Sequence, residues 1–396
     1  MDIISRNFFF LLRAGAFGDE VKIEPMSAWK WRRVYQYSLM HSVSALLFDG
    51  IERCRQQFFL QLPTDLYDTW QASTKDMERE SASQKTTLVR LYEILNGQQL
   101  RPILLKGQHL ASLYDKPEHR QSHNIEFFFP YNTQAKKADK WAHDNGTGLD
   151  DSESYVLSYQ WNGASIEHHH RMYRLTNRLL NHSLQSIIET DIRESKAKFI
   201  NIGNTRIEVP SNTLAMLTII LHITQQMLNN GIAIKLLVDL GIMLRKIGDK
   251  VDYVTLQKWI DKLGLKRIAQ VSGALLIETL GFSEDEIPFM SAKKETDLQR
   301  VLDELFLLQN NRQGDWFFQQ GKDIFIHASN SSAMMWHVRQ SAHYFKYYPT
   351  ESITNLVTSF TRSPSSQVSQ RMLRHSNGQQ ITSMARMGIS LPARLR

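Results

Sequence analysis

Three side chains near the middle of the chain have the types and the spacing needed to bind a metal ion. Asn124 and Glu126 stand two residues apart, next to an apolar run that predicts a strand over 125–129. Side chains alternate along a strand, so we expect both to point to one face. Glu167 lies in a later predicted strand, from which it can supply a third ligand. Such a group can hold Mg²⁺ against a triphosphate, and Asn124, Glu126 and Glu167 are therefore our candidates for the catalytic and metal-binding residues.

A second candidate lies just upstream, at the pair Lys106-Gly107. The pair separates an apolar run, 101–105, from a helical pattern over 108–114. A glycine at a strand-to-helix turn exposes backbone N–H groups, and a helix start beside a lysine can bind phosphate. The alternative is that Lys-Gly serves only the geometry of the turn.

The remaining elements predict an α+β fold with a small α/β core. A hairpin is indicated by two strand-like runs, 155–161 and 164–170, joined by Asn162-Gly163. Helical spacing or polar helical runs extend over 29–54, 65–95 and 133–145, a further small strand is predicted at 206–209, and almost everything from 211 to 348 reads as helical. We expect four regions: an N-terminal helical region (1–97), an α/β core with a small mixed sheet (98–210), a C-terminal helical array (211–350) and a basic tail (351–396).

The segment around these candidates resembles the uncharacterised nucleotidyltransferase family of the minimal nucleotidyltransferase superfold. That family has L-K-G, leucine, tyrosine and arginine in order before a G-D-I-D strand, then D/E-x-H, a helical histidine and an aspartate with apolar neighbours. The matching residues are Leu105-Lys106-Gly107, Leu110, Tyr114, Arg120, Glu167-His168-His169, His222 and Val238-Asp239-Leu240. The resemblance spans about residues 1–285. It implies transfer of a nucleoside monophosphate from an NTP to an acceptor hydroxyl.

The chain departs from the family at the metal-binding strand, where G-D-I-D is replaced by His123-Asn124-Ile125-Glu126. Asparagine can ligate through its carbonyl oxygen but brings no charge. Mg²⁺ prefers carboxylates in near-ideal octahedral geometry, so we expect weaker Mg²⁺ binding here. His123 is expected to fill space beside the site. Two functions stay open: an active or catalytically degraded nucleotidyltransferase, and a non-catalytic scaffold that binds a nucleotide or a partner.

Four further residues are candidates for contacts to substrate or phosphate: Arg120, His169, Lys235 and Asp239. Glu167 and His169 should share one strand face while His168 and His170 take the other, which argues against a zinc site built from consecutive histidines. Ordinary strand positions are the alternative for this pair. Lys235 and Asp239 stand four apart on a predicted helix, so a structural ion pair is the alternative for them.

The net charge of +7 is concentrated at one end of the chain. Residues 361–396 contain six arginines and no lysine or acid, and removing those six charges leaves +1 for the rest. A nucleic-acid partner is therefore not expected, except through this tail. With one cysteine, Cys54, no internal disulfide can form, and no apolar run is long enough to cross a membrane. A cytoplasmic protein is expected.

Overall fold

The computed structural model describes residues 1–57, 61–153, 155–194, 197–229, 232–289, 298–306, 316–319, 324–327 and 338–361. Its helices are α1 (Ile3–Phe17), α2 (Ala28–Met40), α3 (Ser44–Arg53), α4 (Thr64–Gly97), α5 (Lys106–Ala111), α6 (Asn132–Asn145), α7 (Arg178–Glu194), α8 (Asn212–Asn229), α9 (Ile234–Ile247), α10 (Tyr253–Lys262), α11 (Lys266–Leu280), α12 (Gln299–Leu305), α13 (338–344) and α14 (Pro349–Thr361). Its strands are β1 (Ile103–Leu104), β2 (Asn124–Phe128), β3 (Thr147–Glu153), β4 (Val156–Trp161), β5 (Ala164–His169), β6 (Lys198–Ile202), β7 (Thr205–Val209), β8 (Trp316–Gln319) and β9 (Ile324–His327).

The central sheet has five strands in the order β1-β2-β5-β4-β3. Only β2 and β5 are parallel; the other neighbours are antiparallel. The sheet is therefore small and mixed, as the sequence predicted, and the fold is α+β. The Asn162-Gly163 turn, with both residues at positive φ, joins β4 to β5 as expected.

Two hydrophobic cores hold the molecule together. One packs the inner face of the sheet against the last turns of α4 and against α6. The other is almost wholly helical and combines α1–α3 with α8–α12. The 34-residue helix α4 belongs to both, because Leu66 and Trp70 near its start lie in the helical core and Leu88, Leu91 and Leu95 lie in the sheet core. The four-region division stays a prediction, but the first and third predicted regions contribute to one shared core.

Four local predictions need correction. The helix expected over 29–54 is broken, because Ser42 adopts a φ of +55° between α2 and α3. Strands β3 and β6 were not predicted, since the polar β3 lacks apolar alternation and pairs irregularly with β4. The described residues of the stretch 211–348 are mostly helical, as predicted, but β8 and β9 form an unpredicted hairpin within it. Helix α14 occupies the start of the predicted tail, while 362–396 lie outside the described residues.

Among the described helices, none combines the length and the apolar character that a membrane crossing requires. Cys54 is buried, and burial raises the pKa of its thiol, which disfavours the reactive thiolate form.

Candidate functional site

The candidate metal ligands lie on the two parallel strands. Glu126 of β2 stands directly beside Glu167 of β5, and Asn124 stands two positions earlier on the same strand. Their strand neighbours Ile125 and Ile166 point the other way and belong to the sheet core. The alternation of β2 and β5 therefore places Asn124, Glu126 and Glu167 on one face. That face is open enough to leave each carboxylate partly exposed, at 15% for Glu126 and 24% for Glu167.

These side chains contact one another, and His169 joins them. Asn124 Nδ2 donates a hydrogen bond of 2.8 Å to Glu167 Oε1. His169 Nε2 lies 3.2 Å from Glu167 Oε2 and 3.8 Å from Glu126 Oε2. One ligand atom from each of Glu126, Glu167 and His169 lies within 4.8 Å of the other two. The amide of Asn124 faces a carboxylate as a donor, so the three residues whose atoms could together hold a metal ion are Glu126, Glu167 and His169.

Glu126 Oε2 is the carboxylate oxygen of this cluster that has ion-pair neighbours but no hydrogen bond among the described residues. It is buried and accepts no hydrogen bond from any residue that the structure describes. Leaving a buried carboxylate oxygen without a hydrogen bond is costly unless a cation compensates it. Lys106 Nζ lies 3.5 Å away, at ion-pair distance. A divalent cation between Glu126, Glu167 and His169 fits this arrangement, because it would satisfy the oxygen that the protein leaves unbonded.

The Lys106-Gly107 turn borders this cluster. The backbone N–H of Leu105 donates to the carbonyl of Glu126 at 2.9 Å, which fixes the turn against β2. A Cβ at Gly107 would lie 2.9 Å from Ser122 Oγ and 3.2 Å from the carbonyl oxygen of Asn124, so the turn and β2 approach too closely for a larger residue. Helix α5 has only six residues and its backbone departs from helical geometry at Gly107. The charge of Lys106 is thus a stronger attraction for phosphate than the dipole of this helix.

Arg120 and Asp239 form a buried ion pair with each other. Arg120 Nε and Nη2 donate to the two carboxylate oxygens at 2.9 and 2.8 Å, and the side chains are 4% and 0% exposed. Tyr114 donates a third bond to Asp239, at 2.7 Å, and burial beside that carboxylate raises the pKa of the phenol well above its usual range. Arg120 also donates to the carbonyl of Gly107, at 3.1 Å. The pair therefore positions the Lys106-Gly107 turn.

Lys235 is buried on α9, one turn before Asp239. The sequence left open an ion pair between these two residues. In the structure, the carboxylate of Asp239 is instead held by Arg120 and Tyr114, which come from the α5 region more than a hundred residues earlier. The i, i+4 spacing indicated that Lys235, on the same helix, could pair with Asp239. In the folded protein the partner is Arg120, whose guanidinium donates to both carboxylate oxygens.

The other two histidines of the sequence Glu167-His168-His169-His170 lie on the opposite face of the sheet, where both approach Asp139. His168 is fully buried, and its Nε2 shares a hydrogen bond of 3.0 Å with the hydroxyl group of Tyr159. Burial lowers the pKa of this imidazole. His170 Nε2 lies 2.6 Å from an oxygen of Asp139 on α6. Consecutive histidines thus serve two faces, and only His169 reaches the carboxylate cluster.

Two buried histidines near the site were not singled out from the sequence. His109, one turn after Lys106, is 2% exposed, and burial lowers its pKa to about 3, so it is neutral. His119 is held between Asp49 (2.6 Å) and Glu78 (2.8 Å), one carboxylate on each ring nitrogen. Both follow the L-K-G motif closely, but nothing in a single sequence shows which distant carboxylates meet a histidine.

Comparison with known proteins agrees with this geometry. The family described as uncharacterised nucleotidyltransferase matches residues 27–281, a range that contains the turn, both carboxylate strands and the Arg120–Asp239 pair. No curated protein is found to be similar. The matched range covers well over half of the chain, and with the small mixed sheet that carries the acidic cluster, it shows that the chain belongs to the uncharacterised nucleotidyltransferase family.

Proposed function

We propose that the protein transfers a nucleoside monophosphate from an NTP to the hydroxyl group of an acceptor, with the help of a divalent cation. The observation that carries the proposal is the convergence of Glu126, Glu167 and His169 on one sheet face, beside the Lys106-Gly107 turn. Acidic ligands beside a phosphate-binding cation are what this transfer needs. Family membership supports the same reaction class.

In the proposed reaction the chain's own residues bind and orient the substrate. Lys106 attracts the triphosphate, and Glu126, Glu167 and His169 would hold the cation beside it. The acceptor oxygen bonds to the α-phosphorus, the bond to pyrophosphate breaks, and the hydroxyl proton passes to solvent water. A bound cation, which the sequence predicts to be Mg²⁺, would orient the phosphates and neutralise the charge that develops on them. Arg120 and Asp239 act through the turn that they position and do not touch the nucleotide.

The test is a transfer assay with each of the four NTPs labelled at the α-phosphate. The acceptor is unidentified, so a small-molecule cell extract serves as the acceptor pool. We expect labelled product and an equal amount of pyrophosphate to appear together, and both to be lost in Glu126→Gln. Label that stays in the NTP, or a Glu126→Gln variant as active as the natural protein, would contradict the proposal.

A second function is favoured by one observation. Asn124 satisfies Glu167 through a hydrogen bond, and Lys106 already faces Glu126, so the protein partly neutralises its carboxylates without a metal. A catalytically degraded member would then bind a nucleotide or a partner as a scaffold. Nucleotide binding that is unchanged by EDTA and yields no pyrophosphate would favour this alternative.

A further inference from the structure

The ligand set at this site differs from the all-carboxylate set that suits Mg²⁺. One of the three converging donors is the imidazole of His169, and the residue at the first position of the strand motif, Asn124, is neutral. Oxygen-only sites suit Mg²⁺, Ca²⁺ and Mn²⁺, whereas an imidazole ligand suits later first-row ions such as Zn²⁺. The donor chemistry therefore points away from Mg²⁺ as the ion held by the protein.

The spacing of the donors agrees with this chemistry. Ligand bonds near 2.1 Å place tetrahedral neighbours about 3.4 Å apart, and the near-ideal octahedron that Mg²⁺ requires would place them about 3.0 Å apart. His169 Nε2 lies 3.2 Å from Glu167 Oε2 and 3.8 Å from Glu126 Oε2. These distances bracket the tetrahedral value and exceed the octahedral one. The two carboxylates are within 4.8 Å of each other, and a three-ligand site leaves a fourth position for a substrate oxygen, as in catalytic zinc sites.

Two neighbours complete the site without acting as ligands. The hydrogen bond from Asn124 occupies Glu167 Oε1 and leaves Oε2 beside His169. Lys106 brings a fixed positive charge within 3.5 Å of Glu126 Oε2. The amide of Asn124 thus orients Glu167 in place of a further carboxylate ligand. The ammonium group of Lys106 supplies a positive charge in place of a second ion.

We propose that Glu126, Glu167 and His169 bind a single Zn²⁺ ion in preference to Mg²⁺, with Mn²⁺ serving as a spectroscopic probe of the site. The role of this ion in catalysis rests on the proposed function. Ion binding itself can be measured without any nucleotide.

The full chain is first stripped of metal with EDTA and desalted. It is then titrated with Mn²⁺, and electron paramagnetic resonance measures the free and bound Mn²⁺ at equilibrium. We expect one Mn²⁺ per chain. Equimolar Zn²⁺ should displace it, whereas Mg²⁺ should do so only at a hundredfold excess or more. His169→Gln should weaken Mn²⁺ binding at least tenfold and should bring the Mn²⁺ and Mg²⁺ affinities closer together. The matched control is His170→Gln, the next residue, which faces Asp139 and should leave the Mn²⁺ affinity unchanged.

Thermal melting without metal checks that each variant is folded, and Glu167→Gln supplies a second ligand variant. Zn²⁺ that displaces Mn²⁺ no better than Mg²⁺ does, or a His169→Gln variant that binds Mn²⁺ as tightly as the natural protein, would overturn the inference. The proposed function fails differently: a site that binds Mn²⁺ and Zn²⁺ as described, but no NTP, would leave the ion assignment standing and remove the transferase proposal.

Discussion

Replacing Asn124 by aspartate tests whether the side chains at this site are arranged to bind a divalent cation. In the natural protein the amide donates to Glu167 at 2.8 Å, so Asn124→Asp exchanges a hydrogen bond for two facing carboxylates. With the charges about 4 Å apart and an effective dielectric constant of about 20, the repulsion is about 4 kcal/mol. Protonation limits the cost, because raising a carboxyl pKa from about 4 to 7 requires about 4 kcal/mol. We expect the metal-free variant to lose about 2–4 kcal/mol of stability at neutral pH.

The pH dependence of this loss has a definite sign. Repulsion raises the pKa of the carboxylate pair in the folded variant above the unfolded value, so the penalty is present at neutral pH and fades as the pH falls towards the unfolded pKa. A divalent cation should remove the penalty at neutral pH, because the added carboxylate strengthens cation binding. The restored acidic position should therefore make the variant more dependent on metal than the natural protein.

The assay is urea unfolding followed by tryptophan fluorescence, at neutral and at mildly acidic pH, with EDTA or with saturating divalent ion. Asn201→Asp is the matched control, since it makes the same chemical change at an exposed position on β6, in the second sheet. The reasoning about this contact would be refuted if Asn124→Asp lost no stability. It would also be refuted if the loss were the same at both pH values and with or without metal.

Four further predictions follow from other parts of the structure. Replacing Arg120 by methionine should cost about 3–5 kcal/mol in urea unfolding, because it leaves Asp239 charged and buried, and adding Asp239→Leu should recover much of it; a single-variant cost below about 1 kcal/mol would contradict this. Gly107→Ala should weaken NTP affinity in calorimetry and lower the melting temperature, since its Cβ would press on Ser122 Oγ and on the carbonyl oxygen of Asn124; unchanged affinity in the folded variant would mean that the turn does not bind phosphate. Burial lowers the pKa of His119, but its hydrogen bonds to two carboxylates outweigh burial and raise that pKa overall. The stabilisation by protonated His119 is therefore complete below the pKa of the unfolded chain and is lost as the pH rises through the pKa of the folded protein. The difference in unfolding free energy between the natural protein and His119→Asn should narrow from pH 6 to 9, and a widening difference would contradict this. Limited proteolysis should cut first within 361–396 if that basic segment is a flexible appendage, and resistance equal to the core would show that it is docked.

Much of the fold could be predicted because the signals are local. The Asn162-Gly163 turn and the apolar alternation on either side of it determine the hairpin, and Asn96-Gly97 coincides with the end of α4. The i, i+2 spacing was enough to place Asn124 and Glu126 on one face. By contrast, β3 has the sequence of a loop and becomes a strand only through pairing with β4. Secondary structure that depends on a neighbour is not visible in the segment itself.

The site was harder to predict in its details. Glu167 and His169 were identified as a pair, but only the parallel register of β2 and β5 shows that the pair faces Glu126. Asp239 stood out as a charge in an apolar helix, yet its partner, Arg120, comes from 119 residues earlier. Spacing along one element determines which side chains share a face. Which faces meet is decided by packing between distant segments, and a single sequence does not reveal it.

The central claim is that this face of the sheet binds a nucleotide through a cation. It is tested most directly by isothermal titration of each NTP into the natural protein and into Glu126→Gln, with divalent cation or with EDTA. For the best NTP, we expect the cation to strengthen binding to the natural protein at least tenfold, about 1.4 kcal/mol, and to have no such effect in Glu126→Gln. Equal affinity with cation and with EDTA, or a cation effect that survives Glu126→Gln, would contradict the account.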